Sequence, residues 1–206
     1  MQLRVWDLTI DRSGRRVIAG LSFAVVQATA LIVTGPNGAG KTSLLRALAG
    51  FLPIESGGFA LLGDDAERTV GEQAHYLGHA DGVKGALTAG ENLAFAAAML
   101  GGDASRAAQL GALSALGLAH VIDFPARLLS AGQRRRVALA RLMIARRPLW
   151  LLDEPTTALD AAAQVAFAAI MRAHVKDGGI IVAAVHGELG LEDAQELRLG
   201  ATREAA

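Results

Sequence analysis

The stretch GPNGAGKT at 35–42 constrains this chain more than any other. It fits the pattern G-x-x-x-x-G-K-[ST], and its flanks are the ones that pattern needs. The apolar run ALIVT (30–34) reads as a short buried strand. KTSLLRALAG reads as a helix beginning at Lys41, with Gly50 as its C-terminal cap. The glycines let successive backbone N–H groups turn inward around phosphate oxygens. Lys41 reaches the β- and γ-phosphates of a nucleotide, and Thr42 offers its hydroxyl to Mg²⁺. Gly35, Pro36, Asn37, Gly38, Ala39, Gly40, Lys41, Thr42 and Ser43 are therefore the candidate nucleotide-binding residues.

The rest of the chain supplies the sheet on which such a loop sits. LRVWDLTI alternates and reads as a strand, DRSGRR as a turn, and VIAGLSFAVV as a second strand region bent at Gly20. GGFALLG is strand-like. LWLLDEP (149–155) is a continuous apolar strand ending in two acids. AAAQVAFAAIMRAHVKDGG reads as a helix closing on Gly178 and Gly179, and IIVAAVH (180–186) as another buried strand. The segment between about Asp81 and Arg147 is rich in Ala and Leu and reads as helical. Short apolar runs alternating with helices predict an α/β fold whose parallel sheet is covered on both faces.

The acidic strand completes a nucleotide site. Its position is predicted beside the strand that feeds the phosphate loop, with Asp153 at its carboxyl end holding Mg²⁺ and Glu154 placed to orient or deprotonate the attacking water. Alone, the pair would read as a strand capped by two solvated acids. His186 ends the last buried strand. A histidine there is ordinarily a structural hydrogen bonder, but the carboxyl ends of parallel strands meet at one edge, where the γ-phosphate must sit. Asp160 reads as a helix N-cap, and capping is compatible with a role at the nucleotide.

A second phosphate-like feature is LSAGQRRRVALAR (129–141), in which Ser130 can cap a helix and Gly132 allows close backbone approach. The arginines at 134–136 spread over about 300° of helix at ~100° each, so they do not form one patch. A solvated or interface helix is expected from them, not a nucleic-acid surface.

GPNGAGKT, LSAGQRRRVALAR, LWLLDEP, ALD and VH occur in this order, and with them the chain resembles the ATPase subunits of ABC transporters over nearly its whole length. The resemblance implies a P-loop NTPase of RecA-like α/β core with an N-terminal antiparallel β subdomain, built from 1–80 and 148–206. It places a helical subdomain carrying the signature motif at 81–147, the whole being one domain. It also implies that two copies sandwich two ATP molecules head to tail. Ser130, Gly132 and the helix N-terminus that follows would then touch the γ-phosphate held by the other copy's Lys41; Gln133 and Asp160 are further candidate nucleotide-binding residues, while Glu154, His186 and Lys41 carry the chemistry.

Within the family, YLGHADGVKGALTAGENLAF (76–95) resembles the ATP-binding subunits of haem-export or cytochrome c maturation systems; Lys84, Leu87, Thr88, Glu91, Asn92, Leu93 and Phe95 carry that likeness. It implies integral-membrane partner subunits, a place on the cytoplasmic face of a bacterial inner membrane, and no direct contact with cargo. Three departures stand out. His79 occupies the place of a glutamine that contacts Mg²⁺, either substituting as a ligand or being an ordinary loop histidine. The first turn, DRSGRR, has no aromatic to stack on adenine, so either Arg12, Arg15 or Arg16 stacks by cation–π contact or the base is recognised more weakly. Ala28 stands where a turn glycine is common.

Composition excludes alternatives. With 20 basic and 20 acidic residues the net charge is zero, which argues against a non-specific nucleic-acid binder. The absence of cysteine excludes disulfides and thiolate chemistry. The early charges of MQLRVWDLTIDRSGRR are not those of a signal peptide, and no apolar run approaches a bilayer span.

Overall fold

A computed structural model describes residues 1–185, 187 and 189–200. Two sheets form the frame. Strands β1 (Gln2–Arg12), β2 (Arg15–Val26) and β4 (Ser56–Leu62) make an antiparallel sheet in the order β2-β1-β4. Strands β3 (Thr29–Thr34), β5 (Ala74–Leu77), β6 (Leu149–Asp153), β7 (Ile180–Ala184) and β8 (Gln195–Arg198) make a parallel sheet in the order β5-β6-β7-β3-β8.

The apolar runs predict this burial, because side chains alternate across a strand with a period of two. Leu149 and Leu151 of β6 and Ile180, Val182 and Ala184 of β7 join Leu31 and Val33 of β3 on one face. That face packs against helix α1 (Lys41–Leu48) and the antiparallel sheet, through Leu44, Leu45, Leu3, Val5, Leu8 and Ile10. The intervening residues Trp150, Leu152, Ile181 and Ala183 face the second core, with α2 (Ala89–Leu100), α3 (Arg106–Ser114), α4 (Ala131–Ile144) and α5 (Ala161–Lys176). The two cores are separate clusters on opposite faces of the parallel sheet.

Local chemistry explains the boundaries. Ser13 and Gly14, both with positive φ, close β1 onto β2 in the two-residue turn that matches strand twist. The bend foreseen at Gly20 coincides with a register shift between Leu8↔Leu21 and Ile10↔Ile18. Helix α1 ends as expected on Gly50: Gly50 N–H donates to the Ala47 carbonyl and Phe51 N–H to the Arg46 carbonyl. Helix α5 ends the same way on Gly178 and Gly179. Ala28, at φ 58, does adopt the left-handed conformation that a glycine would adopt without strain. Strand β8 has no counterpart in the sequence reading, because QELR carries no apolar alternation and sits on the sheet edge.

One topological expectation is corrected. The acidic strand β6 does not lie beside β3; β7 pairs with both and separates them. Apolar periodicity identifies buried strands but carries no information on their lateral order. The link between the two motifs is made instead by α1, which lies over β7 and brings its first turn to the end of β6.

Candidate functional site

The parallel strands β3, β5, β6 and β7 present their carboxyl ends at one edge. The turn from β3 into α1 is shaped by two close approaches. A Cβ at Gly35 (φ 139) would stand 2.4 Å from the Leu199 carbonyl oxygen, and one at Gly40 (φ 100) would stand 2.8 Å from Val17 Cγ1. Only glycine satisfies both the backbone and the space. Lys41 is buried, and its Nζ donates to the carbonyls of Gly35 (2.6 Å) and Pro36 (3.2 Å), folding the loop around its own ammonium. Asn37, Gly38, Gly40, Lys41, Thr42 and Ser43 border a cavity of about 290 Å³, which Glu154, Arg12 and Val17 also line.

Asp153, at the end of β6, is only 4% exposed and accepts a hydrogen bond from Thr42 Oγ1 at 2.8 Å. Two oxygen donors of hard character, one hydroxyl and one carboxylate, therefore meet beside the phosphate loop, and this donor set fits Mg²⁺. Glu154 follows with φ 46, a left-handed conformation that costs a non-glycine residue on the order of 1–3 kcal/mol. Its N–H donates to the Ala184 carbonyl (2.9 Å), and Thr157 Oγ1 donates to its Oε2 (3.3 Å).

His79 is exposed, just beyond β5. It borders a second cavity, of about 430 Å³, together with Thr42, Arg46, Tyr76 and Asp153. The fold thus brings the residue in the glutamine position to the same opening as the two oxygen donors. Of the three arginines considered for adenine, Arg12 alone borders the phosphate cavity; Arg16 is paired with Asp11 (3.1 Å) and lines a different recess with Arg15.

The signature residues are not part of the cavity on their own chain. Ser130 and Gln133 form a reciprocal cap at the start of α4, with Ser130 Oγ accepting from Gln133 N–H (3.2 Å) and Gln133 Oε1 from Ser130 N–H (2.8 Å). A Cβ on Gly132 would meet the Ala158 carbonyl oxygen at 2.8 Å, so glycine there is needed for packing against the segment that leads to α5. Asp160 caps α5, accepting from Ala163 N–H at 2.8 Å. His186 lies outside the described residues.

In the arginine run, Arg135 departs from a solvated face, while Arg134 and Arg136 are half-buried. Arg134 donates to the Leu129 carbonyl (2.6 Å), Arg136 to the Leu116 carbonyl (3.2 Å), and Arg135 is buried under five hydrogen bonds. The 76–95 motif is likewise partly architectural. Thr88 and Glu91 form a capping box on α2, and Asn92 holds both the N–H and the carbonyl of Lys84. Lys84 Nζ lies 4.6 Å from the centre of the Phe95 ring.

A parallel sheet whose carboxyl edge carries a glycine-shaped phosphate loop, a buried lysine and a Thr–Asp oxygen pair defines a P-loop nucleotide-binding protein. A family model described as "ABC transporter" matches residues 18–157, and the chain belongs to that family as an ATPase subunit. The chain is 56% identical to the "Cytochrome c biogenesis ATP-binding export protein CcmA" of Nitrobacter winogradskyi, over 97% of this chain and 98% of that one. It is also 56% identical to the protein of the same name from Nitrobacter hamburgensis, over 98% and 100%. Among solved structures, a putative ABC transporter ATP-binding protein from Pyrococcus furiosus superposes with a TM-score of 0.85 at 22% identity, covering 97% of this chain and 98% of that one, a likeness of fold.

Proposed function

We propose that the chain hydrolyses ATP to drive a membrane complex for cytochrome c biogenesis, of the haem-export type. The observation that carries the hydrolytic half of this reading is the position of Thr42, which is hydrogen-bonded to Asp153 and borders the phosphate cavity together with Glu154. The names of the 56%-identical relatives support the cellular half.

In this reading the phosphate chain of ATP lies in the cradle at 35–43. Lys41 exchanges its loop carbonyls for β- and γ-phosphate oxygens and stabilises the charge that spreads over them. Thr42 and Asp153 would hold Mg²⁺, which would supply positive charge to neutralise the phosphates, with His79 as the candidate third contact. Glu154 accepts the proton of a water lying in line with the γ-phosphate, and His186 completes the γ-phosphate contacts. Arg12 covers the base side of the cavity.

The second half of the site comes from a second copy. Ser130, Gly132 and Gln133 stand at a helix N-terminus that their own phosphate cavity does not use, and N–H groups there favour anions. Two copies arranged head to tail give each ATP one phosphate loop and one signature helix, with Asp160 at the junction.

The membrane partner docks at the groove between β5, α2 and α4. Phe51, Phe95 and Met99 are exposed by 62, 47 and 70% around a recess of about 310 Å³. Phe51, Tyr76 and Arg141 border both this recess and the one containing His79 and Asp153, so partner and nucleotide share a wall. Among the described residues no helix is long and apolar enough to cross a membrane, so the complex takes its spans from other subunits. The chain then sits on the cytoplasmic face of the inner membrane.

The test is affinity purification of the tagged chain from its host in mild detergent, with ATPase assay of the eluate. Recovery of multispanning subunits and a c-type cytochrome defect in the deletion strain are expected. A strain that matures its c-type cytochromes normally overturns the cellular assignment, and an eluate without ATP turnover overturns the hydrolytic one.

A further inference from the structure

Among the described residues Arg135 makes the most side-chain hydrogen bonds, five, and neither the phosphate chemistry nor the helix signature requires it. It is 3% exposed, and all five of its N–H positions are used. Nη2 donates to the carbonyls of Asp153 (3.2 Å) and Glu154 (2.7 Å). Nε donates to the Pro155 carbonyl (3.3 Å). Nη1 donates to the Gly78 carbonyl (2.9 Å) and to Asp81 Oδ1 (3.2 Å).

The pattern has a stereochemical meaning. In an extended strand successive carbonyls point to opposite sides, so one donor cannot serve two neighbours. At Glu154 the backbone turns left-handed, at φ 46, and brings the Asp153 and Glu154 carbonyls onto the same nitrogen. The guanidinium thus offsets the strain of that turn, and the turn is what carries the Glu154 side chain to the phosphate cavity. The Gly78 and Asp81 bonds attach the same guanidinium to the loop that holds His79, and Arg141 adds Nη2 to the Asp81 carbonyl (2.6 Å) and Nη1 to the Gly82 carbonyl (3.3 Å).

We infer that Arg135 is a positioning residue for hydrolysis: it holds the backbone of 153–155 in the strained turn that aims Glu154, and ties that turn to the 78–82 loop. The inference rests on the role given above to Glu154. It differs from a packing role because it places the loss in the chemical step. Lysine concentrates its donors on one atom and cannot span acceptors on both the 153–155 turn and the 78–81 loop.

The test uses the full chain with R135K, R135M and E154Q, measuring Kd for a fluorescent ATP analogue and steady-state ATPase, normalised to bound nucleotide. In R135M the Kd should stay within about threefold while kcat falls about 100-fold, the scale of a misplaced catalytic group, with R135K in between. Adding R135M to E154Q should lower the residual turnover by less than about twofold, because both act through one group. An equal fold loss in both backgrounds, or a rise in Kd that accounts for the lost turnover, overturns the positioning role and leaves the hydrolytic reading intact. E154Q that turns over like the parent overturns the hydrolytic reading, and the Arg135 role with it. Should R135M fail to fold, R135K decides by the same two comparisons.

Discussion

Thr42 Oγ1 donates to Asp153 Oδ2 at 2.8 Å, joining residues 111 positions apart across a strand, β7, that neither belongs to. The bond ties the phosphate loop to the acidic strand and holds two oxygen donors at one mouth. Thr42→Val keeps the shape and removes the hydroxyl. ATPase activity titrated against Mg²⁺ should show a half-saturation raised about tenfold, the loss of one charge-assisted hydrogen bond or ligand. An unchanged Mg²⁺ dependence removes Thr42 from the metal site.

Glu154→Gln keeps the hydrogen-bonding outline of the side chain and removes the base. The variant should bind ATP, lose turnover by at least about 100-fold, and accumulate as a dimer in size-exclusion chromatography with ATP and Mg²⁺. A monomer peak with ATP bound counts against the head-to-tail sandwich.

Ser130→Arg probes the same sandwich from the other side. The substitution removes one N-cap, which costs about 1 kcal/mol of stability. Nucleotide binding by the isolated copy should be unchanged, because Ser130 does not border its own phosphate cavity, while turnover should be abolished. Loss of nucleotide binding instead would put Ser130 in the wrong site.

Acid should loosen the fold through two histidines, His75, which is buried, and His174, which is half-buried. Burial pushes His75, whose Nε2 lies 2.7 Å from the Ala145 carbonyl, down to about 4 from 6.5. His174, stacked on Trp150 at 3.9 Å between ring centres, is lowered to about 4 by the same cause. The unfolded chain therefore binds more protons between pH 6.5 and about 4, so stability falls as pH falls through that window. For His75 the full effect is on the order of 3 kcal/mol. Thermal midpoints of the parent and of His75→Gln, compared from pH 7 to 4.5, should show a shallower decline in the variant. Parallel curves would mean that His75 keeps its solution proton affinity.

The local motifs were legible because their information is local. A glycine-rich turn between an apolar strand and a helix, the caps at Ser130 and Asp160, and the closing glycines at 50 and 178 each act within a few residues, and the structure contains each of them. Three features were not legible. The order β5-β6-β7-β3-β8 follows from how strands insert beside one another, which their common apolar character cannot encode. Strand β8 is held by pairing to β3, without an apolar pattern of its own. In sequence nothing distinguishes Arg135 from Arg134 and Arg136 as the one to be buried. Its burial depends on acceptors 18 to 57 positions away that converge only when α4, β6 and the 78–82 loop have packed. Residue type and spacing thus specified the chemistry available to this chain, and the long-range assembly of backbone carbonyls selected which arginine would be desolvated and what it would hold.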